Sequence, residues 1–289
     1  MTEPVRVGLV GAGPWARFVH GPMLASCPDT TLAAVWARRP SAAAEVAAPH
    51  GAVVAASIEE LFDRCDAVAF CVPPDVQVEY GTRAAAAGKA LLLEKPVGLS
   101  LDGARALADA VDAAGVPSQV VLTARYAPAV RAFLAEVAAA TPIGARARFL
   151  SGALLGGPFA TPWRLEHGCL LDLGPHMIDL VDAALGPVVA VKAAGDPRRW
   201  VGLLLEHESG VTSEVSLSAS TAVNPPRAGV EVLTATGAID VDTNAAVGAD
   251  AIATIAAEFA RTARGTPHPL DIHRGLHLQQ ILTEAAAQL

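Results

Sequence analysis

Four cysteines, Cys27, Cys65, Cys71 and Cys169, are all this 289-residue chain has, and no two of them form a CxxC pair. Their spacing signals neither a disulfide framework nor a zinc site, so they read as reduced, small hydrophobes. The 21 Lys and Arg are scattered among 29 Asp and Glu, for a net charge of -8, and no basic stripe with interleaved aromatics occurs. A nucleic-acid surface is therefore not expected. No apolar run approaches the ~20 residues of a membrane span, and Met1-Thr2-Glu3-Pro4 lacks the basic, then apolar profile of a signal peptide. A cytoplasmic protein that does not engage membranes is expected. G-x-S-x-G, P-loop and H-E-x-x-H motifs are also missing, which removes the usual carriers of hydrolase and kinase chemistry. His268, His273 and His277 invite a metal reading, but no acid completes a ligand set, so no metal is expected.

What is present is apolar: 52% of the residues are hydrophobic. That is ample for a buried core, and the length exceeds the commonest single-domain size, so two domains are expected. The first strand, by content, is Val5-Arg6-Val7-Gly8-Leu9-Val10. It runs into Gly11-Ala12-Gly13-Pro14-Trp15-Ala16, which fits G-x-G-x-x-A, and then into a segment able to form a helix from about Pro14. Those types suit a dinucleotide. Gly11 makes the tight turn, Gly13 lets backbone approach a pyrophosphate, and Ala16 allows helix and strand to pack closely with the helix N-terminus facing the anion. An NAD site of this kind carries an acid about 20 residues further on, after the second strand. After the strand expected over 31–36, this chain has Ala37-Arg38-Arg39-Pro40. An acid would repel a 2′-phosphate and a guanidinium would bond it, so NADP is favoured over NAD.

Strand and helix then alternate. A helix over 57–64 precedes a strand over 67–72, and Pro73-Pro74-Asp75 opens a helix that closes at Gly88. The apolar run Leu91-Leu92-Leu93 ends in Glu94-Lys95-Pro96, because proline has no donor for a ladder. A lysine is thereby fixed at a strand end, where the ligand crevice of an open α/β sheet lies. A helix over 100–114 and a strand over 119–123 complete a doubly wound parallel Rossmann sheet of about six strands, assigned to residues 1–123. In the remainder, 124–289, residues 168–179 place Asp172 and His176 four apart on a helix, with Asp179 three further on. The acid can then orient the ring and raise its basicity. Strand-like segments over 188–193, 200–207, 211–219, 229–233 and 238–241 predict an open, mainly antiparallel sheet, followed by helices over 249–264 and 272–288.

The glycine motif, Val72-Pro73-Pro74, Ala87-Gly88-Lys89 before Glu94-Lys95-Pro96, Arg125-Tyr126-Ala127-Pro128-Ala129-Val130, and Gly168-Cys169-Leu170-Leu171-Asp172-Leu173-Gly174-Pro175-His176 occur in one order. Together they resemble the glucose-fructose oxidoreductase, inositol dehydrogenase and rhizopine-catabolism (Gfo/Idh/MocA) family of NAD(P)-dependent oxidoreductases. The resemblance covers nearly the whole chain. It implies His176 as acid/base, Lys95 at the substrate hydroxyl and nicotinamide ribose, and Asp172 binding substrate and tuning the histidine. It further implies cofactor contacts from Pro14, Trp15, Val72, Pro73, Glu94 and Pro96 besides the glycines and arginines, and a cis Lys95-Pro96 bond. The substrate it implies is a sugar, sugar derivative or cyclitol, with Arg125, Tyr126, Trp163, Arg164 and His167 as pocket residues. A homodimer or homotetramer through the second sheet is expected on the same ground. Cys169 departs from the family's run of glycines, and the chain is short between 241 and 249, where a substrate loop is trimmed. Two other activities fit the fold. A non-catalytic NAD(P)-binding regulator would typically have lost Lys95 or His176, which this chain keeps, and an NAD-assisted glycoside hydrolase does not suit an NADP-type pocket.

Overall fold

Six parallel strands run through the first part of the chain: β1 (Val5–Val10), β2 (Thr30–Trp36), β3 (Val53–Val54), β4 (Ala67–Phe70), β5 (Ala90–Leu93) and β6 (Ser118–Val120). They are seen in a computed structural model that describes residues 3–289. Their spatial order is β3-β2-β1-β4-β5-β6. The order reverses between β1 and β4, which is where the ligand crevice of a doubly wound sheet opens. All four residues of β4 and of β5 are buried, as expected for strands covered on both faces. Helices α1 (Gly21–Ser26), α2 (Pro40–Ala47), α3 (Ile58–Asp63), α4 (Pro74–Ala86) and α5 (Leu101–Ala114) make the crossovers. Their ends follow local chemistry. The Ser57 and Ser100 side chains cap α3 and α5, prolines open α2 and α4, and Gly115 closes α5 in the left-handed region.

The second part holds α6 (Pro128–Ala138), α7 (Pro162–Leu185), the short α8 (Thr243–Ala246) and a separate six-stranded sheet. Its strands are β7 (Pro142–Leu150), β8 (Val188–Asp196), β9 (Trp200–His207), β10 (Thr212–Ser218), β11 (Arg227–Thr234) and β12 (Gly237–Asp242), in the order β12-β11-β7-β10-β9-β8. Four of the five pairings are antiparallel and β10 runs parallel to β7. The expected strands are present, but β7 is additional and sits near the middle of the sheet. Its inward positions are Ala145, Ala147 and Phe149, and its outward ones include Arg146 and Arg148. One face packs on α7: the Cys169 thiol lies 3.5 Å from the Leu217 carbonyl oxygen. The other face is charged, with Arg146 paired to Glu214 at 3.6 Å and the half-exposed Leu204 and Leu233 nearby in register.

The chain packs as two compact units, and they are not simply its halves. The first extends to Val121 and takes back Ile252–Leu276, and the second is Leu122–Ala251 with His277–Leu289. The sequence alone predicts a single division, after residue 123. The physical reason for the return lies along β6. Val120 N donates to Leu270 O at 2.6 Å, Gln119 Nε2 to Ile255 O at 3.1 Å, and Ile272 N to the Ser118 hydroxyl at 3.1 Å. Helix α9 (Ala249–Ala263) and the start of α10 (Ile272–Ala286) thus cover an edge strand that would otherwise present bare backbone. Among the described residues, no helix is long and apolar enough to cross a membrane.

Candidate active site

The glycine turn follows β1 directly. Gly11 donates its N–H to Trp36 O at 2.9 Å and has φ of 116°, and a Cβ there would lie 2.3 Å from Cys71 O at the end of β4. Only glycine lets β1 and β4 approach this closely while the chain turns. Gly13 is exposed, and a Cβ on it would meet nothing within 4 Å. That open face, just before a helix beginning at Pro14, leaves room for a pyrophosphate against the backbone. Ala16 is fully buried, which lets the helix lie close to the sheet.

The helix then widens into one π-helical turn, Ala16–His20, before α1. A π turn brings residues five apart onto one side, here Trp15 and His20. Trp15 Nε1 donates to Glu94 Oε1 at 2.7 Å, and His20 Nε2 lies 2.9 Å from the same oxygen. His20 has no exposed surface, and its Nδ1 has no hydrogen-bond partner. A proton on Nε2 satisfies the carboxylate and leaves a bare lone pair on Nδ1, which costs less than an orphaned N–H. Trp15 and Glu94 were both expected at the dinucleotide. The structure bonds them to each other, so the glycine-turn helix is tied to the residue before Lys95. His20 was not anticipated, because a π turn leaves no mark in the hydrophobic periodicity.

The other candidates of this unit lie at neighbouring strand ends. Arg38 and Arg39 follow β2, are exposed, and have no ion pair among the described residues. Before them Trp36 packs edge-on against Tyr80 at 5.1 Å, and the Arg83 guanidinium lies 5.2 Å above the Tyr80 ring. Val72 and Pro73 follow β4 and are partly exposed. Lys95 follows β5, is partly exposed, and is joined to the buried Pro96 by a cis peptide bond, as expected. Gln77 of α4, which carries no motif signal in the sequence, hydrogen-bonds the backbone of Glu94 at both its N–H and its C=O.

In the second unit, α7 consists of two helical stretches joined at Gly168, where φ is 71° and ψ is -160°. A Cβ on Gly168 would lie 2.1 Å from Pro197 O, and the Cys169 N–H donates to that oxygen at 2.7 Å. Cys169 therefore sits, buried, at the start of the second stretch. From Asp172 to Asp182 every residue is buried except His176, which is partly exposed. Its ring lies 6.1 Å from Phe149 of β7, centre to centre. Arg164 Nε donates to Asp172 Oδ1 at 3.0 Å, while Arg164 also bonds the Thr161 hydroxyl at 3.3 Å and stacks 4.8 Å over Trp163.

Arg125 and Tyr126, expected in the substrate pocket, have other contacts in the structure. Arg125 Nη1 donates to both oxygens of Asp179, at 3.1 and 3.2 Å. A carboxylate as deeply buried as that of Asp179, 1% exposed, needs such a counter-ion. Tyr126 has no exposed surface and belongs to the core, with Arg131 lying 6.0 Å above its ring. Trp163, Arg164 and His167 keep partial exposure.

The remaining reactive types are accounted for by their surroundings. Burial pushes the Cys65 and Cys169 thiols up to about 11, so neither supplies a thiolate at neutral pH. His268, His273 and His277 each face a different carboxylate: Glu258 at 3.1 Å, Asp112 at 3.0 Å and Asp182 at 2.7 Å.

The strand order of the first unit, the Gly11 turn against β4 and the open face at Gly13 define an NAD(P)-binding Rossmann domain, and the residues present fit that cofactor. The chain belongs to the GFO/IDH/MocA family: the family model "Oxidoreductase family, NAD-binding Rossmann fold" matches residues 5–122, and "GFO/IDH/MocA C-terminal domain" matches 127–240. It is 36% identical over 147 residues to D-apiose dehydrogenase of Paraburkholderia graminis, covering 47% of this chain and 39% of that protein. It is 35% identical over 126 residues to inositol 2-dehydrogenase of Rhizobium meliloti, covering 43% and 38%. These matches thus span about two fifths of the relatives' own length. Among solved structures, GenD2 from gentamicin A biosynthesis in complex with NAD superposes with a TM-score of 0.87 at 23% identity, over 100% of this chain and 95% of that one. At that identity the likeness speaks to the fold alone.

Proposed function

We propose that the chain is an NAD(P)-dependent dehydrogenase or reductase that interconverts a secondary alcohol and a ketone of a sugar, sugar derivative or cyclitol. The observation that carries the reading is His176, the one position left partly open to solvent along eleven otherwise buried helical residues. Bound NAD(P) supplies the hydride acceptor or donor. His176 takes the hydroxyl proton in oxidation and returns it in reduction. The Lys95 ammonium lowers the energy of the developing alkoxide. Asp172, held by Arg164, orients the substrate and the histidine. Two relatives are named as dehydrogenases of D-apiose and of inositol, which supports the polyol class. A panel of polyols and ketosugars, followed at the nicotinamide absorbance, tests the reading. Tight coenzyme binding with no turnover across the panel would point to the non-catalytic regulator.

NADP is the preferred coenzyme in this reading. Arg38 and Arg39 are exposed just past β2, and the acid that would repel a 2′-phosphate is absent. Charge-assisted bonds of this kind contribute about 1.5–3 kcal/mol, roughly a 10- to 100-fold preference. Fluorescence titration is expected to show NADPH binding at least ~10-fold more tightly than NADH, with Arg38→Asp erasing the difference. Tighter NADH binding by the unmodified protein would end the NADP assignment.

A further inference from the structure

We infer that Gln77 is a positioning residue for Lys95, acting through the backbone on either side of it. The inference rests on the reading of Lys95 as an active-site group. In a parallel sheet, successive residues turn their N–H and C=O groups to opposite neighbours. Leu93 turns toward β6, since its carbonyl accepts from Val121 N at 2.8 Å. Glu94 therefore turns toward β4. But β4 ends at Phe70, and its register with β5 closes at the pair Ala69 and Leu92. Gln77, one turn into α4, fills the missing place. Its Oε1 accepts from Glu94 N at 2.8 Å and its Nε2 donates to Glu94 O at 2.8 Å, the bonds that two residues of a longer β4 would make. The same Nε2 lies 3.4 Å from Pro96 O.

One planar amide without exposed surface thus bridges the carbonyls of residues 94 and 96 and brackets Lys95. The Glu94 side chain is fixed separately, by Trp15 and His20. The base of Lys95 is held to α4 through Gln77 and to the glycine-turn helix through Glu94. This matters because lysine has four rotatable side-chain bonds, so an error in its backbone position is carried to its ammonium. Reacting groups need placement to within about 0.5 Å.

Two variants test the assignment. Gln77→Met keeps the side-chain length and removes all three bonds, and Gln77→Glu, when ionised, keeps the acceptor and loses both donors. The chain has only three lysines, Lys89, Lys95 and Lys192. Reductive methylation with 13C-formaldehyde therefore gives few lysine signals by NMR, and Lys95→Ala identifies that of Lys95. In both Gln77 variants, without coenzyme, the Lys95 signal is expected to move toward the position of an exposed lysine. The kcat is expected to fall about 10- to 100-fold, in line with the cost of a misplacement near 1 Å, while the coenzyme Kd stays within about threefold. A role confined to packing would lower Tm and leave both the Lys95 signal and kcat at wild-type values, and that result overturns the inference. Full turnover in Lys95→Ala instead overturns the reading of Lys95, so the two failures are distinguishable. If neither Gln77 variant folds, the wild-type protein decides. Its Gln77 Nε2 protons are expected to shift when Lys95 is methylated, and unshifted protons overturn the inference.

Discussion

His176→Ala is expected to lower turnover by about 10²- to 10⁴-fold, the usual contribution of a positioned acid/base, with coenzyme affinity unchanged. The expectation comes from how α7 is built. Its neighbours along the helix are buried, and its two flanking acids, Asp172 and Asp179, are already bonded to Arg164 and Arg125. Because His176 is partly exposed, its truncation opens no closed cavity, and the Tm should change by only a few degrees. Loss of rate with retained fold and retained coenzyme binding separates chemistry from packing. Steady-state kinetics beside a thermal melt make the measurement. A variant retaining more than a tenth of wild-type turnover would remove His176 from the proposed mechanism.

Gly11→Ala and Gly13→Ala are expected to fail in opposite ways. At Gly11 a methyl group meets the Cys71 carbonyl at 2.3 Å in a backbone conformation with φ of 116°, so strain and clash coincide. The loss should reach about 3 kcal/mol, the upper end for a strained backbone position, seen as a fall in Tm of roughly 6–12 °C. At Gly13 a methyl group meets nothing within 4 Å and the backbone is not left-handed. Stability should be unchanged or slightly raised, as for other unstrained Gly→Ala changes. The methyl group would, however, occupy space that a pyrophosphate needs, so NADPH binding should weaken by at least ~10-fold or 1.4 kcal/mol. Differential scanning fluorimetry and fluorescence titration on the pair check both halves. A Gly13→Ala protein that binds NADPH normally would show that the dinucleotide does not pass over this turn.

Five strands of the parallel sheet were legible because they are largely buried and read as apolar runs between glycine and proline signals, whereas the two-residue, partly exposed β3 was not. In the second sheet, β8 to β12 were visible from alternation, but β7 was not. The residues that β7 turns inward are mostly alanine, which carries little hydrophobic contrast, and a proline and a glycine near its start interrupt the strand pattern. At the site, the spacing of Asp172 and His176 and the lysine at a strand end could be read directly. The bracket around Lys95 could not. Gln77 acts through main-chain atoms of residues distant in sequence, and Trp15 and His20 share a side only because one helical turn widens. Arg125 and Tyr126 have structural contacts that their sequence neighbourhood does not reveal. The first neutralises a buried acid that is distant in sequence, and the second is fully buried.

The hydrogen bond between Val120 and Leu270 joins residues 150 positions apart, and both belong to the unit that begins the chain. During synthesis at about 5–20 residues per second, β6 waits roughly 8–30 s for the segment that covers it. Through that interval the larger part of the second unit, Leu122–Ala251, is made, and its last segment, His277–Leu289, still follows. The amino-terminal unit is therefore the first to be started yet stays open at β6 until about residue 270 is made, and that exposed edge is what a nascent-chain chaperone would have to guard.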